Sequence, residues 1–266
     1  MTNIKKTLGS LIPYPAILAG RKVFHYGRRR CLVCASHYRS RLDSGYGFPV
    51  LEQLHVAGGL MRRADVCPIC HSGSRERLIW FYLTKEWKLS DDARGRLRVA
   101  HFAPEKGLSQ RLQQQFPDTY RAYDFAPQRY RHLRNVEFQD IQQLSLASAS
   151  VDLLICNHVL EHVFDLSAAL HEVRRVLSAN GRAIMQTPIA LKLDQMRDGG
   201  QRASPAERIA LFGQHDHVRL FTRQGYIDAL NAAGLSVTAY EPFQERSEEA
   251  TAWELDPFET LFVISI

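Results

Sequence analysis

The stretch VDLLICNHV (151–159) decides the fold of this 266-residue chain. Its apolar residues run almost unbroken, the mark of a strand covered on both faces, and such strands belong to parallel sheets flanked by helices. Working outward, strand and helix alternate from residue 97 onward. Upstream, strands are expected over 97–104, 120–126 and 136–141, with a helix over 106–116. Downstream, an amphipathic helix is expected over 165–177, closed by Asn180-Gly181, then a strand over 182–188. A helix over 222–233 has Thr222 as N-cap and Gly234 past its end, and the last strands fall at 235–240 and 260–266. Seven strands with helices between most of them predict an α/β fold with an open, doubly wound sheet. Such sheets bind ligands beyond the carboxyl ends of their strands, at the switch point beside the first strand.

Composition agrees with a globular protein: 45% of residues are hydrophobic and 23% charged. That excludes collagen-like, coiled-coil and disordered classes. No apolar run approaches the roughly 20 residues of a membrane-spanning helix, and no secretory leader pattern opens the chain, so the cytoplasm is the expected location. The net charge of +6 conceals an asymmetry. Residues 1–96 carry 17 Lys/Arg against 7 Asp/Glu, and residues 97–266 carry 17 against 21. A basic N-terminal region raises the local concentration of anionic partners, whether nucleic acid, phosphorylated substrates or lipid headgroups.

Four of the five cysteines form two Cys-x-x-Cys pairs in that basic region, Cys31/Cys34 and Cys67/Cys70. Each turn points two thiolates at one ion, and two turns supply the four sulfurs of a closed, structural Zn2+ site. Disulfides are disfavoured in the cytosol, and a thioredoxin-like pair would need a βαβ context that is missing here. Gly45, Gly47, Gly58 and Gly59 punctuate the 32 residues between the pairs, as hairpins of a small sheet would. Cys156 reads as a small buried hydrophobe. The expected order is therefore a basic and apolar arm (1–30), a zinc-ribbon-like module (31–74), a helical linker (75–96) and an α/β domain (97–266). The arm mixes Leu8, Leu11, Ile12, Ile17 and Leu18 with Lys and Arg, with Pro13 and Pro15 breaking any long helix. Peripheral contact with a membrane surface is one reading of it, and packing on the body the other.

Acidic residues close two strands. Asp124 ends the second, where a carboxylate accepts both hydroxyls of a ribose. Asp140 ends the third and is placed to accept from an adenine amino group, with Ile141 against the ring. The first strand-to-helix turn, HFAPEKG (101–107), lacks the G-x-G-x-x-G of a pyrophosphate cradle. An adenosine ligand without phosphates fits better, with Glu105 facing an ammonium or sulfonium group.

At this point residues 97–266 resemble the class I S-adenosylmethionine-dependent methyltransferases of the "type 11" kind. The resemblance is carried by Asp140-Ile141, by VDLLICNHVLEHVFD (151–165) and by HEVRRVLSANGRAIMQTPI (171–189). The whole chain is similar to a bacterial subgroup with an N-terminal four-cysteine module, CPIC…RERLIWFYL, HFAPE-x-G and LFGQHDHVRLF (211–221). The resemblance implies a Rossmann-like sheet with an antiparallel last strand and S-adenosylmethionine as cofactor. It implies that the 102–107 turn, with Phe102, Glu105 and Gly107, holds the methionine end. Asp124 would take the ribose with Phe125 beside the adenine, and Asp140 and Ile141 the adenine. Asn157 and His158 would line the methyl-transfer site. The family's second and third glycines are missing from the first turn.

Methyl transfer to oxygen or nitrogen benefits from a general base, and His suits neutral pH. His158 is the first candidate, then His215 and His217 in the 190–220 segment, which is long enough to act as a lid. His162 follows His158 by one helical turn. Arg197, Arg202, Arg208 and Arg219 offer cations to an anionic acceptor. The leading reading is a methyltransferase for a small-molecule or glycan acceptor. The second is an RNA methyltransferase gripping nucleic acid through the basic module. Against it, residues 1–96 lack regular aromatic and basic interleaving, and the fourth strand lacks an Asn-Pro-Pro-aromatic turn. The third is a zinc-dependent binding protein with a vestigial cofactor fold.

Overall fold

A computed structural model describes residues 14–89, 96–130, 133 and 135–266. Leu8, Leu11, Ile12 and Pro13 of the arm, and residues 90–95 of the linker, lie outside the described residues.

The N-terminal third contains helix α1 (Tyr14–Phe24), strands β1 (Arg29–Arg30), β2 (His37–Tyr38) and β3 (Leu42–Ser44), the short helix α2 (Pro49–Gln53), β4 (Val56–Ala57), β5 (Arg62–Val66) and helix α3 (Ser74–Lys85). There follow β6 (Val99–Phe102), α4 (Lys106–Gln115), β7 (Tyr120–Asp124), β8 (Val136–Phe138), β9 (Val151–Asn157), α5 (Leu166–Val176) and β10 (Leu177–Gln186). The rest comprises β11 (Ile189–Ala190), α6 (Pro205–Phe212), α7 (Arg223–Ala232), β12 (Ser236–Tyr240), α8 (Pro242–Glu245), α9 (Ser247–Ala252) and β13 (Leu261–Ser265).

Seven strands form one sheet in the order β12-β13-β10-β9-β6-β7-β8. β13 runs antiparallel to both of its neighbours, and the other pairs are parallel. The order reverses at β6, which has β7 on one side and β9 on the other, so the switch point lies at the carboxyl end of β6. Leu153, Leu154, Ile155 and Cys156 of β9 are wholly buried, as a strand covered on both faces requires.

Local signals set most helix ends. Asp165 accepts from the Ala168 amide (2.9 Å) and Thr222 from the Gly225 amide (3.0 Å), each capping the helix that follows. One expected signal is corrected. Asn180-Gly181 does not close α5, because Leu177 passes directly from that helix into β10. The pair sits where the β9–β10 register shifts between Leu177 and Arg182. A Cβ on Gly181 would lie 2.9 Å from the carbonyl oxygens of Val151 and Ser178, so close approach within the sheet requires the glycine.

Two cores cover the sheet. One face packs on α5 and α7 through Leu170, Val173, Tyr226 and Leu230. The other packs on α3 and α4, and that core is continuous with Cys31, Val33, Tyr38, Cys67 and Cys70. Nine of the twelve residues of α3 are buried, as expected of a helix flanked by protein on several sides. Arg77 on α3 donates to the Asp65 backbone (2.8 Å) and carboxylate (2.9 Å) and to the carbonyls of Trp253 and Glu254. β4 pairs with β11, so the N-terminal region adds a strand to the segment after β10.

Glu259 is buried beside this junction. Burial pushes its carboxyl up to about 7, Asp256 and Glu76 add to this, and Arg75 and Arg62 oppose it. A carboxyl raised in the folded state stabilises below its unfolded value of 4.5 and loses that contribution as pH rises through about 7. Glu259→Gln should therefore raise stability at pH 8 by on the order of 1–3 kcal/mol and leave it nearly unchanged at pH 4.5. Urea unfolding at the two pH values checks this, and equal effects at both would show that folding does not raise the Glu259 carboxyl.

Candidate active site and four-cysteine centre

All five cysteines are free thiols. The sulfurs of Cys31, Cys34, Cys67 and Cys70 lie within 4.8 Å of one another, and Cys31 Sγ is 3.7 Å from Cys70 Sγ. That is far beyond a disulfide bond of about 2.05 Å. It matches the edge, about 3.8 Å, of a sulfur tetrahedron around an ion bonded at about 2.3 Å. The donor set fits Zn2+.

CLVCAS (31–36) and CPICHS (67–72) are a repeat that the spacing argument passed over. In both, the first cysteine amide donates to the serine carbonyl (2.9 and 3.0 Å), and the fifth residue donates back to the first cysteine carbonyl (2.9 Å in each). That fifth residue, Ala35 or His71, is left-handed, with φ 59 and 63. The two turns therefore present their sulfurs in the same way.

The second turn is seated on the start of α4. A Cβ on Gly107 would fall 2.1 Å from Ser72 Oγ and 2.9 Å from Cys70 Sγ, both buried. Lys106 Nζ donates to the Ile69 carbonyl (2.6 Å). Gly107 thus makes room for the four-cysteine centre and does not line the ligand cleft, which corrects its expected placement.

A cleft of about 560 Å³ opens at the carboxyl ends of β6 and β7, a volume suited to a small organic ligand. Phe102, Asp124, Phe125, Asp140, Ile141 and His158 line it together. Asp140 lies beyond β8, in a turn where its carboxylate accepts from the Gln142 amide (2.9 Å). Asp124 accepts from the Ala126 amide (2.6 Å) and from the Tyr130 hydroxyl (2.7 Å). Phe125 is 68% exposed and packs on Phe138 (5.5 Å between ring centres), leaving an aromatic face at the cleft edge.

Ala103 also lines the cleft, with φ 48. The left-handed backbone expected of a glycine after the first strand is taken up here by alanine, at a strained position next to the ligand space. Sequence reading missed Ala103 because nothing in its residue type signals positive φ. Tyr130 was missed because its role arises only through Asp124.

Glu105 does not line the cleft. It accepts from His101 Nε2 and from Asn157 Nδ2, both at 2.8 Å, with Arg75 at 3.9 Å. Burial alone would raise its carboxyl, but the hydrogen bond and charge of His101, with Arg75 and Asn157, hold it down at about 2. It is therefore a fixed anion behind the first turn. Asn157, expected to line the methyl-transfer site, is buried and outside the cleft lining, its Nδ2 held by Glu105 and its Oδ1 unpartnered.

The candidate bases separate. His158 has φ 52, borders the cleft and stands 3.3 Å from Glu161 Oε1. Burial, and then the charge of Arg75, push its imidazole below the ordinary 6.5, which favours the neutral form. His215 is 71% exposed, lies 3.9 Å from the Asp216 carboxylate and does not line the cleft. His217 is buried behind His162, the ring centres 4.7 Å apart. Among the four arginines offered to an anionic acceptor, Arg208 lines the cleft. Arg219 is buried and donates to the carbonyls of Leu160, Val163 and Phe164, which corrects its assignment. No described helix is long and apolar enough to cross a membrane.

Residues 108–185 match the methyltransferase domain family. The 37.1 kDa protein in transposon TN4556 of Streptomyces fradiae is 45% identical over 53 residues. That stretch covers 20% of this chain and 15% of the curated relative. Among solved structures, an S-adenosylmethionine-dependent methyltransferase from Mesorhizobium loti is 16% identical, covering 64% of this chain and 91% of its own, with TM-score 0.43. The CurJ carbon methyltransferase is 15% identical, covering 71% and 53%, with TM-score 0.46.

Proposed function

We propose that this chain, which carries a class I S-adenosylmethionine-dependent methyltransferase domain, methylates a small-molecule or glycan acceptor and is held together by a structural zinc ion at its four cysteines. The observation that carries the reading is the convergence of Asp124, Asp140, Ile141 and Phe125 on one cleft at the switch point. Two carboxylates, an apolar wall and an exposed ring suit the hydroxyls, amino group and faces of an adenosine. The fixed Glu105 anion behind the first turn favours a cationic methionine end through its charge, without touching it. The bound cofactor supplies an electrophilic methyl group. The chain's own work is to fix the approach geometry and to take a proton from the acceptor. His158, at the cleft with a neutral imidazole favoured, is assigned that proton. Arg129 and Arg208 on the same cleft suit an acceptor that carries an anionic group.

Calorimetry with S-adenosylmethionine tests the cofactor site. Asp124→Ala should weaken binding by about 1–3 kcal/mol, the scale of a lost charge-assisted hydrogen bond. Asp124→Asn, which keeps an acceptor for the Ala126 amide, should lose part of this. Unchanged affinity in both would remove the ribose assignment. Anionic acceptors screened for S-adenosylhomocysteine release test the substrate class. Turnover confined to RNA, with steep salt dependence, would overturn it.

A further inference from the structure

Beside His158, the cleft wall holds a second cluster of metal-ligating groups with no part in the reading above. Glu161, His162 and His217 each offer one ligand atom, and these atoms lie within 4.8 Å of one another. Glu161 is 1% exposed and His217 is 2% exposed. His162 is partly open and lines the cleft together with Asp216.

Three observations set this cluster apart from ordinary buried polar packing. First, the three side chains make no hydrogen bond to one another. Glu161 Oε2 accepts only a long bond from Thr187 Oγ1 (3.3 Å), and Oε1 lacks a hydrogen bond although His158 Nδ1 is 3.3 Å away. Second, His217 Nδ1 is buried without any partner. Leaving a ring nitrogen so placed is costly unless something else satisfies it. Third, no Lys or Arg among the described residues forms an ion pair with Glu161, so the charged partners this buried carboxylate can have there are imidazoles. A cation at the centre would satisfy all three conditions together.

His162 has the support expected of a metal ligand. Its Nδ1 lies 3.2 Å from the Asp216 carbonyl and 3.5 Å from the Asp216 carboxylate. With Nδ1 donating there, Nε2 carries the lone pair. Ligating histidines commonly give their other N–H to a carboxylate or carbonyl in this way.

We infer that Glu161, His162 and His217 bind a divalent transition-metal ion in the cleft wall, distinct from the four-cysteine centre. Two imidazoles and one carboxylate suit Zn2+, Fe2+, Co2+ or Ni2+, and such a set leaves coordination positions open. Because His162 and Asp216 border the cleft, those positions are available to an oxygen ligand, such as a hydroxyl or carboxylate, on the molecule held there. The site does not depend on methyl transfer and would exist in a protein that bound no S-adenosylmethionine.

The test is Co2+ titration of the full chain with its four-cysteine centre already loaded with zinc, read by visible absorption and by metal analysis. The expected result is one further equivalent of Co2+ per chain, with nitrogen and oxygen ligand-field bands and no thiolate charge-transfer band. His162→Ala, at a partly open position, and Glu161→Gln should each weaken this equivalent at least tenfold while zinc at the cysteines stays. Asp216→Ala should weaken it by roughly 10–100-fold through His162. Saturation without a second equivalent, a spectrum of thiolate character only, or unchanged Co2+ affinity in the His162→Ala protein each overturns the assignment. Should His217→Ala fail to fold, the His162→Ala measurement still decides.

Discussion

Cys70→Ser should abolish stoichiometric zinc and, with it, most of the protein's capacity to bind S-adenosylmethionine. The sulfur of Cys70 belongs to the tetrahedral cluster, and it also sits where a side chain on Gly107 would fall. Loss of the metal releases the CPICHS turn, and that turn is the seat of α4. The first strand-to-helix turn, with Ala103 in the cleft and Glu105 behind it, stands directly before that helix. Structural zinc sites contribute about 10–16 kcal/mol to the folding of small modules. This is comparable to the whole stability usual for a domain, about 5–15 kcal/mol. Metal analysis, a thermal melt with and without chelator, and cofactor calorimetry on the same samples check the expectation. A folded, zinc-free protein with native cofactor affinity would show that the sulfurs are a passive cluster.

His158→Ala should lower turnover by roughly 10²–10⁴-fold, the usual worth of a positioned general base. Its affinity for S-adenosylmethionine should stay close to that of the native chain, because the groups assigned to the nucleoside are Asp124, Asp140 and Ile141. The left-handed backbone at His158 is retained less comfortably by other residues than by Asn, so His158→Asn separates loss of the imidazole from loss of the turn. A shared deficit in both variants assigns the effect to the ring. Full activity in either would remove His158 as the proton acceptor. A drop confined to cofactor binding would make it a positioning residue.

Much of this arrangement was legible in the chain itself. The near-continuous apolar run 151–159 announces a covered strand, and acidic residues at consecutive strand ends announce a nucleoside-sized cleft; both depend only on local pattern. The two Cys-x-x-Cys turns were legible because four thiolates at that spacing have few other uses. What stayed hidden depends on contacts between distant segments. Gly107 reads as part of a ligand turn until Ser72 and Cys70 are seen against it. Glu105 reads as a cofactor contact until His101 and Asn157 are found to occupy it. His217 looks like a lid residue until its burial behind His162 is visible. Asn180-Gly181 mimics a helix end and instead serves a bulge in β10.

The burial of α3 has a practical consequence for anyone isolating the α/β half. Trimming the chain to residues 97–266 would strip Leu78, Ile79, Phe81 and Leu83 from the sheet and leave Leu153, Ile155 and Ile184 facing water. Such a fragment would aggregate through that bared face. The CPICHS turn stands directly before this helix, so a chain that lost the zinc proposed for its four cysteines would loosen α3 and bare the same apolar faces to proteases.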